Sequence, residues 1–167
     1  MKERMFLFTC PNCHSQFHMK RDTLGIAGIS DLLEKRIEQG TYFTHICSHC
    51  HQPFYLEYPF LYRDPKKQFI LVLSDQKMID VKQGDEMIVR CKNVPQFLLA
   101  YRILHQQLNV ELVLQKKHQL EQKLKSPCQF DRYDHDHKCL WFQCQKEWVA
   151  IKMDAQELQQ IKERGNV

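Results

Sequence analysis

The chain has 167 residues, of which 43% are hydrophobic and 26% charged. That balance supplies a packed core and excludes a chain too polar to fold. No apolar run approaches the roughly 20 residues of a membrane-spanning helix, and a net charge of +4 permits contact with nucleic acid without demanding it.

In chain order, Met5 to Thr9 alternates bulky apolar residues and reads as a strand, and Gln16 to Lys20 reads as its return. Thr23 to Ile29 reads as a loop. A helix follows, with Asp31 as cap, Ser30 as the alternative cap, Glu34 three residues on and Gly40 as the stop. Tyr42 to Ile46 and Phe54 to Tyr58 are further strands. Asp64-Pro65-Lys66-Lys67 is a turn, and the apolar run Phe69 to Leu73 is a buried strand needing cover on both faces. Ser74 to Asp85 is a polar loop and a candidate boundary, and Glu86 to Lys92 is another strand.

Asn93 then caps a helix, with Gln96 as its capping-box partner. Helical spacing continues loosely to Lys125, either as one helix or as two with a break near Gln106 to Asn109. Ser126-Pro127 ends it. Gln129 to Tyr133 and Lys138 to Cys144 read as paired strands around a turn at Asp134 to His137. Trp148 to Met153 is a last strand. Asp154, with Glu157, caps a final helix closed by Gly165.

The strongest signal is a repeat. Phe6, Cys10-Pro11-Asn12-Cys13-His14 and Phe17 match Phe43, Cys47-Ser48-His49-Cys50-His51 and Phe54, position for position. Two cysteines separated by two residues can turn both thiolates toward one ion, and two such knuckles make a tetrahedral set suited to Zn²⁺. Cys10, Cys13, Cys47 and Cys50 are therefore the expected ligands of one structural zinc. Residues 14–46 exceed the usual gap between knuckles, so the helix is an insertion. His14 and His51 stand where a glycine is common, and histidine is among the residues enriched at positive φ. The framing phenylalanines would keep water from the site.

Each knuckle is also literally C-x-x-C-H, the attachment pattern of c-type haem. That chemistry needs export, and Met1-Lys2-Glu3-Arg4 does not read as an export signal. Eight cysteines in such a chain argue for a reducing cytoplasm and against a disulfide framework. A thioredoxin-like pair would not be duplicated, whereas iron in a four-cysteine site remains chemically allowed.

With Gly40 ahead of the second knuckle and Tyr58-Pro59-Phe60-Leu61-Tyr62-Arg63-Asp64-Pro65 behind it, the chain resembles the CpXC domain family over about residues 5–115. The resemblance implies a bacterial metal-binding protein. Ser48 stands where the family name expects proline. Phe97 to Tyr101 lacks the acidic-basic pair associated with the family's helix, so no function is carried over there.

Two weaker constellations remain. Tyr55, Tyr58, Tyr62, Arg63 and Asp64 form a polar-aromatic run behind a rigid knuckle, a candidate binding surface. The alternative makes the aromatics core and Asp64 a turn former. His135, His137 and Cys139 alternate and form a candidate second metal site, with Cys91 or Cys128 as further ligands, against a solvated turn beside small core cysteines.

The expected class is α+β: a zinc-ribbon-like antiparallel β core with an inserted helix, plus a C-terminal sheet and helices. Residues 1–74 and 85–167 would share one core. The expected function is a non-catalytic, zinc-stabilised binding protein of the cytoplasm acting on a protein partner. The alternatives are a nucleic-acid-binding zinc ribbon, and an enzyme, either a hydrolase or a thiol redox protein.

Overall fold

A computed structural model describes residues 3–75 and 85–163. Most of the expected loop at Ser74 to Asp85, and the helix stop at Gly165, lie outside the described residues. The chain is an α+β protein that forms two compact units, Met1–Leu98 and Leu99–Val167.

The first unit opens with an antiparallel hairpin of β1 (Glu3–Thr9) and β2 (Gln16–Asp22), with Phe8 opposite Phe17. Next come β3 (Leu24–Ile26) and α1 (Asp31–Glu38). Ser30, the alternative cap, is the one used: its hydroxyl accepts the Leu33 amide at 3.3 Å, and its extended backbone (φ −139°) suits the N-cap. Gly40, at φ 75°, ends the helix in the left-handed conformation glycine adopts readily. Leu33 and Ile37, one turn apart, are its buried face.

A second, shorter hairpin follows, β4 (Thr44–Ile46) with β5 (Pro53–Tyr55). Both strands are shorter than the sequence suggests, because residues 42–43 form a turn and residues 56–59 leave the ladder.

The unit's main sheet has the order β3-β6-β7-β8, with β6 (Phe60–Asp64), β7 (Phe69–Leu73) and β8 (Met87–Cys91). Thr23 to Ile29 is thus more than a loop, since β3 pairs in parallel with β6. Gly25 suits this close approach: an added Cβ would lie 2.7 Å from Leu33 Cδ2 and 3.1 Å from Phe60 Cζ. All five residues of β7 are buried. Each such side chain contributes roughly 1.5–3 kcal/mol of burial, which makes β7 the centre of this unit's core. β8 completes the sheet in parallel with β7.

At the end of this unit begins α2 (Val94–His105). Asn93 Oδ1 accepts the Gln96 amide at 3.0 Å, while Gln96 Oε1 reaches back to the amide of Lys92 rather than that of Asn93. The Glu57 carboxylate supplements this cap, accepting the Val94 amide at 3.1 Å. Phe97 packs edge-on to Phe43 and Phe60.

The second unit holds the end of α2, α3 (Val110–Leu124), an antiparallel sheet of order β11-β10-β9 and the short α4 (Ala155–Gln160). The helical stretch is two helices, with the break at residues 106–109, where Gln107 takes φ 58°. Asn109 caps α3 by accepting the Leu112 amide at 2.9 Å. Asp154 and Glu157 form the expected capping box on α4.

The sheet strands are β9 (Cys128–Asp134), β10 (Cys139–Cys144) and β11 (Glu147–Lys152). Phe130, Leu140 and Phe142 are buried on one face of this sheet. A bulge at Asp131 shifts the β9–β10 register between Trp141 and Phe142. Gln106 serves the exposed edge at this bulge. Its side-chain amide donates to Asp131 O at 3.1 Å and accepts Tyr133 N at 2.9 Å, and Arg102 donates to Phe130 O at 3.1 Å.

Cys128 and Cys144 lie directly opposite each other, with Cα atoms 4.4 Å apart, and are joined by a disulfide. The sequence argument against disulfides counted cysteines and compartment; it had no register to place these two side chains face to face. Among the described residues, no helix is long and apolar enough to cross a membrane.

Candidate metal centre

The repeat in sequence is a repeat in geometry. In the first knuckle the Cys10 amide donates to Ser15 O at 2.9 Å, and the His14 amide donates to Cys10 O at 2.9 Å. In the second, Cys47 donates to Gln52 O at 3.0 Å, and His51 donates to Cys47 O at 2.9 Å. The turn closes only if the residue after the second cysteine enters the left-handed region. His14 does so at φ 62° and His51 at φ 61°. The strands on either side, β1–β2 and β4–β5, carry the two turns toward one another.

All four sulfurs lie within 4.8 Å of one another. Cys10 Sγ is 3.7 Å from Cys50 Sγ, and Cys13 Sγ is 3.6 Å from Cys47 Sγ. A tetrahedron with metal–sulfur bonds of about 2.3 Å has edges of about 3.8 Å, so these four cysteines fit one tetrahedral ion. Cys10 and Cys47 are buried and the other two are half-buried.

Sequence reasoning missed Ser15. Its hydroxyl lies 3.1 Å from Cys13 Sγ and 3.5 Å from Cys47 Sγ. The only signal for it is position, two residues past a knuckle cysteine. The Ser15 hydroxyl, then the Cys50 amide, hold the Cys47 thiol down at about 5. The Asn12 side chain and the Gln52 amide lower Cys50 as well. Such groups favour thiolates, the form that binds metal.

An aromatic layer supports the hairpins. Phe17 stacks on His45 with ring centroids 4.7 Å apart and meets Phe54 edge-on at 6.1 Å. Phe8 joins Phe17 to Tyr58, and Tyr58 joins Phe6, Phe43 and Phe60. Phe43 is fully buried in this stack, whereas Phe6, Phe17 and Phe54 are half-buried. Arg21 lies over the rings of Tyr42 and Tyr58 and donates to Tyr42 O and Tyr58 Oη.

The polar-aromatic run does not form a surface. Tyr62 is 0% exposed, Tyr58 5% and Asp64 4%. Pro59 and Pro65 sit just outside β6, so they remove no donor from its ladder. β6 therefore lies inside the sheet, between β3 and β7, and buries alternate residues. Asp64 Oδ1 accepts the Lys67 amide at 2.9 Å, the turn-forming role. Arg63 is exposed, yet its guanidinium is taken up by a two-point ion pair with Glu86. Only Tyr55 keeps an open ring.

The second candidate site is also not assembled. Among the described residues, Cys10, Cys13, Cys47 and Cys50 are the one cluster with metal-binding spacing. His135 and His137 lie in an exposed turn, whereas Cys139 is buried. His137 Nδ1 lies 2.8 Å from Asp134 Oδ2, and the same carboxylate accepts Trp141 Nε1 at 3.1 Å and the amides of Asp136 and His137. Asp134 thus orders the turn that a metal would have needed open. Burial, with the Asp134 charge, pushes the Cys139 thiol up, and burial raises Cys91 to about 12. Neither is an activated nucleophile.

The fold and cluster define a class: an α+β protein whose first unit carries four convergent cysteines on two matched hairpin turns. The chain belongs to the CpXC family, whose model, described as "CpXC protein", matches residues 27–133. That match covers the second knuckle and runs into β9. Comparison with curated proteins and with solved structures finds no significant match.

Proposed function

We propose that this is a non-catalytic binding protein whose first unit is built on one structural Zn²⁺, held by Cys10, Cys13, Cys47 and Cys50. The carrying observation is the pair of sulfur–sulfur distances, 3.6 and 3.7 Å, that match a four-thiolate tetrahedron. Zinc is the borderline-soft, redox-inert ion such sets favour, and four protein ligands leave no position for a water or substrate. The metal would act through stability. It ties two short hairpins, each too small to fold alone, into one rigid end. Ser15 and the amides of His49 and Cys50 would orient the thiolates.

Elemental analysis of chain purified without added metal tests this. The expected result is about one zinc per chain, released by a strong chelator together with the structure of the first unit. A metal-free chain that keeps its full fold, or a red iron form, overturns it.

A further inference from the structure

The sheet of the second unit buries Phe130, Leu140 and Phe142 on its inner face. The residues between them point the other way, and the register fixes which they are. At one end of that outer face Cys139 is buried and Trp141 half-buried, and the rest of the face toward Trp148 is exposed. Arg132 lies opposite Trp141, and Trp141 opposite Ala150; Gln129 lies opposite Gln143, and Gln143 opposite Trp148. Both tryptophans of the chain therefore lie on this open face.

Trp148 is 54% exposed. A tryptophan is among the costliest side chains to leave in water, and a second one on the same face makes a patch rather than an accident. Trp141 is held in place: its Nε1 donates to Asp134, and the Arg132 guanidinium carbon lies 5.6 Å from its ring centroid. Ala150, paired with Trp141, is the small residue on this face of β11.

The charges on this face are mostly positive. Arg132 is exposed, with one amino nitrogen 2.8 Å from Asp131 Oδ2, and Lys152 is exposed on β11. The carboxylate on the face, Asp134, is occupied by Trp141, by His137 and by two backbone amides. Gln129 and Gln143 add exposed amides that can both donate and accept.

We infer that the open face of β9–β10–β11 binds single-stranded nucleic acid, with bases stacked on Trp148 and Trp141 and phosphates met by Arg132 and Lys152. This rests on the reading of the protein as a binding module, and it names the partner. A single strand presents a flat ring and an anion in every unit, which matches aromatic and cationic groups interleaved on one sheet. A duplex keeps its ring faces covered. A neutral oligosaccharide would use the rings and leave the cations without a purpose.

The test uses the zinc-loaded full chain titrated with oligo(dT) and oligo(rU) of about 12 nucleotides. Tryptophan fluorescence is the readout, because both tryptophans lie on the proposed face. Binding should quench it, and affinity should fall as salt rises. Trp148→Ala should weaken binding about ten-fold or more, Trp148→Phe should keep most of it, and Arg132→Ala should flatten the salt dependence. Both side chains are exposed, so the melting temperatures of all three variants should hold.

Several results overturn the inference: no quenching up to about 100 μM oligonucleotide; equal affinity in Trp148→Ala; equal binding of duplex DNA or heparin, which indicates charge alone; or quenching by a neutral oligosaccharide instead. A chain that carries its zinc and melts normally but binds no oligonucleotide refutes this inference and leaves the metal reading standing. A folded chain without metal does the reverse.

Discussion

Asn109 holds Ile161: its amide donates to the Ile161 carbonyl at 2.8 Å. Its side chain extends the tie, with Nδ2 donating to Glu163 O at 2.8 Å while Oδ1 caps α3 through Leu112. One buried residue therefore satisfies the start of α3 and the chain beyond α4 together.

Asn109→Ala should lose the cap and the side-chain tie to Glu163 O, costing about 1–2 kcal/mol. Asn109→Asp keeps the acceptor for Leu112 and loses the donor, so its cost should fall in between. Chemical denaturation of the three chains checks the order. Equal stability of wild type and Asn109→Ala contradicts it.

At the metal centre, Cys10→Ser and Cys47→Ser should unfold the first unit, because the binding energy of a structural zinc is folding energy. Ser15→Ala should be milder. It removes a hydroxyl that touches two sulfurs, and loss of such a group typically costs 10–100-fold in metal affinity. Competition with a chromogenic chelator separates the two effects.

Glu57 makes a pH prediction. Burial raises its carboxyl, opposed by the hydrogen bond from the Val94 amide. The folded chain therefore holds this proton more tightly than the unfolded chain. The stability that goes with the neutral form is fully present below the ordinary carboxylate range and is lost as pH rises through the raised value. Glu57→Gln stays neutral and can still accept from Val94. Its melting temperature relative to wild type should be lowest near pH 4 and climb toward pH 7. A difference that shrinks over that range rules this account out.

Gly25→Ala tests packing at the β3–β6 pair. The new Cβ would press on the tips of the Leu33 and Phe60 side chains, so at least one of them must shift in the core. Overpacking of this kind costs typically 1–3 kcal/mol. Adding Leu33→Ala should return part of the loss, since it removes the nearest obstructing atom.

Arg63→Ala separates a surface role from a structural one. Its pair with Glu86 is half in solvent on the arginine side, with 49% of that side chain exposed. Exposed pairs contribute about 0–1 kcal/mol, so the melting temperature should move little. Tyr62→Phe acts in the core, and any change it causes reports packing or hydrogen bonding rather than loss of a partner.

The knuckles were legible because their spacing is local: the chemistry of four thiolates and the positive φ at His14 and His51 follow from a few adjacent residues. Caps read almost as well, since Asp154 with Glu157 needs only neighbours in sequence. The cap of α1 is ambiguous in sequence, because Ser30 and Asp31 are both competent acceptors and only the backbone decides between them. Which alternative holds for the Tyr58–Asp64 run, surface or core, is decided non-locally. Its alternation is that of a half-buried strand, but the partners that bury it, β3 and β7, lie on either side in sequence, and β3 has only three residues. Pairing of Cys128 with Cys144 likewise needed the register of two strands. Ser15 carried no signal beyond its place after Cys13.

The hydrogen bonds from Gln106 and Arg102 to β9 reach beyond local order. A bare outer strand is a template on which another chain can polymerise. Here two side chains from α2 and its end take up Phe130 O, Asp131 O and Tyr133 N, and the bulge at Asp131 breaks the flat repeat an incoming strand would need. Growth of this sheet, by a second copy or by a misfolded one, is left to the β11 side, where Glu147 and Lys152 stand at the ends of the strand as charged gatekeepers.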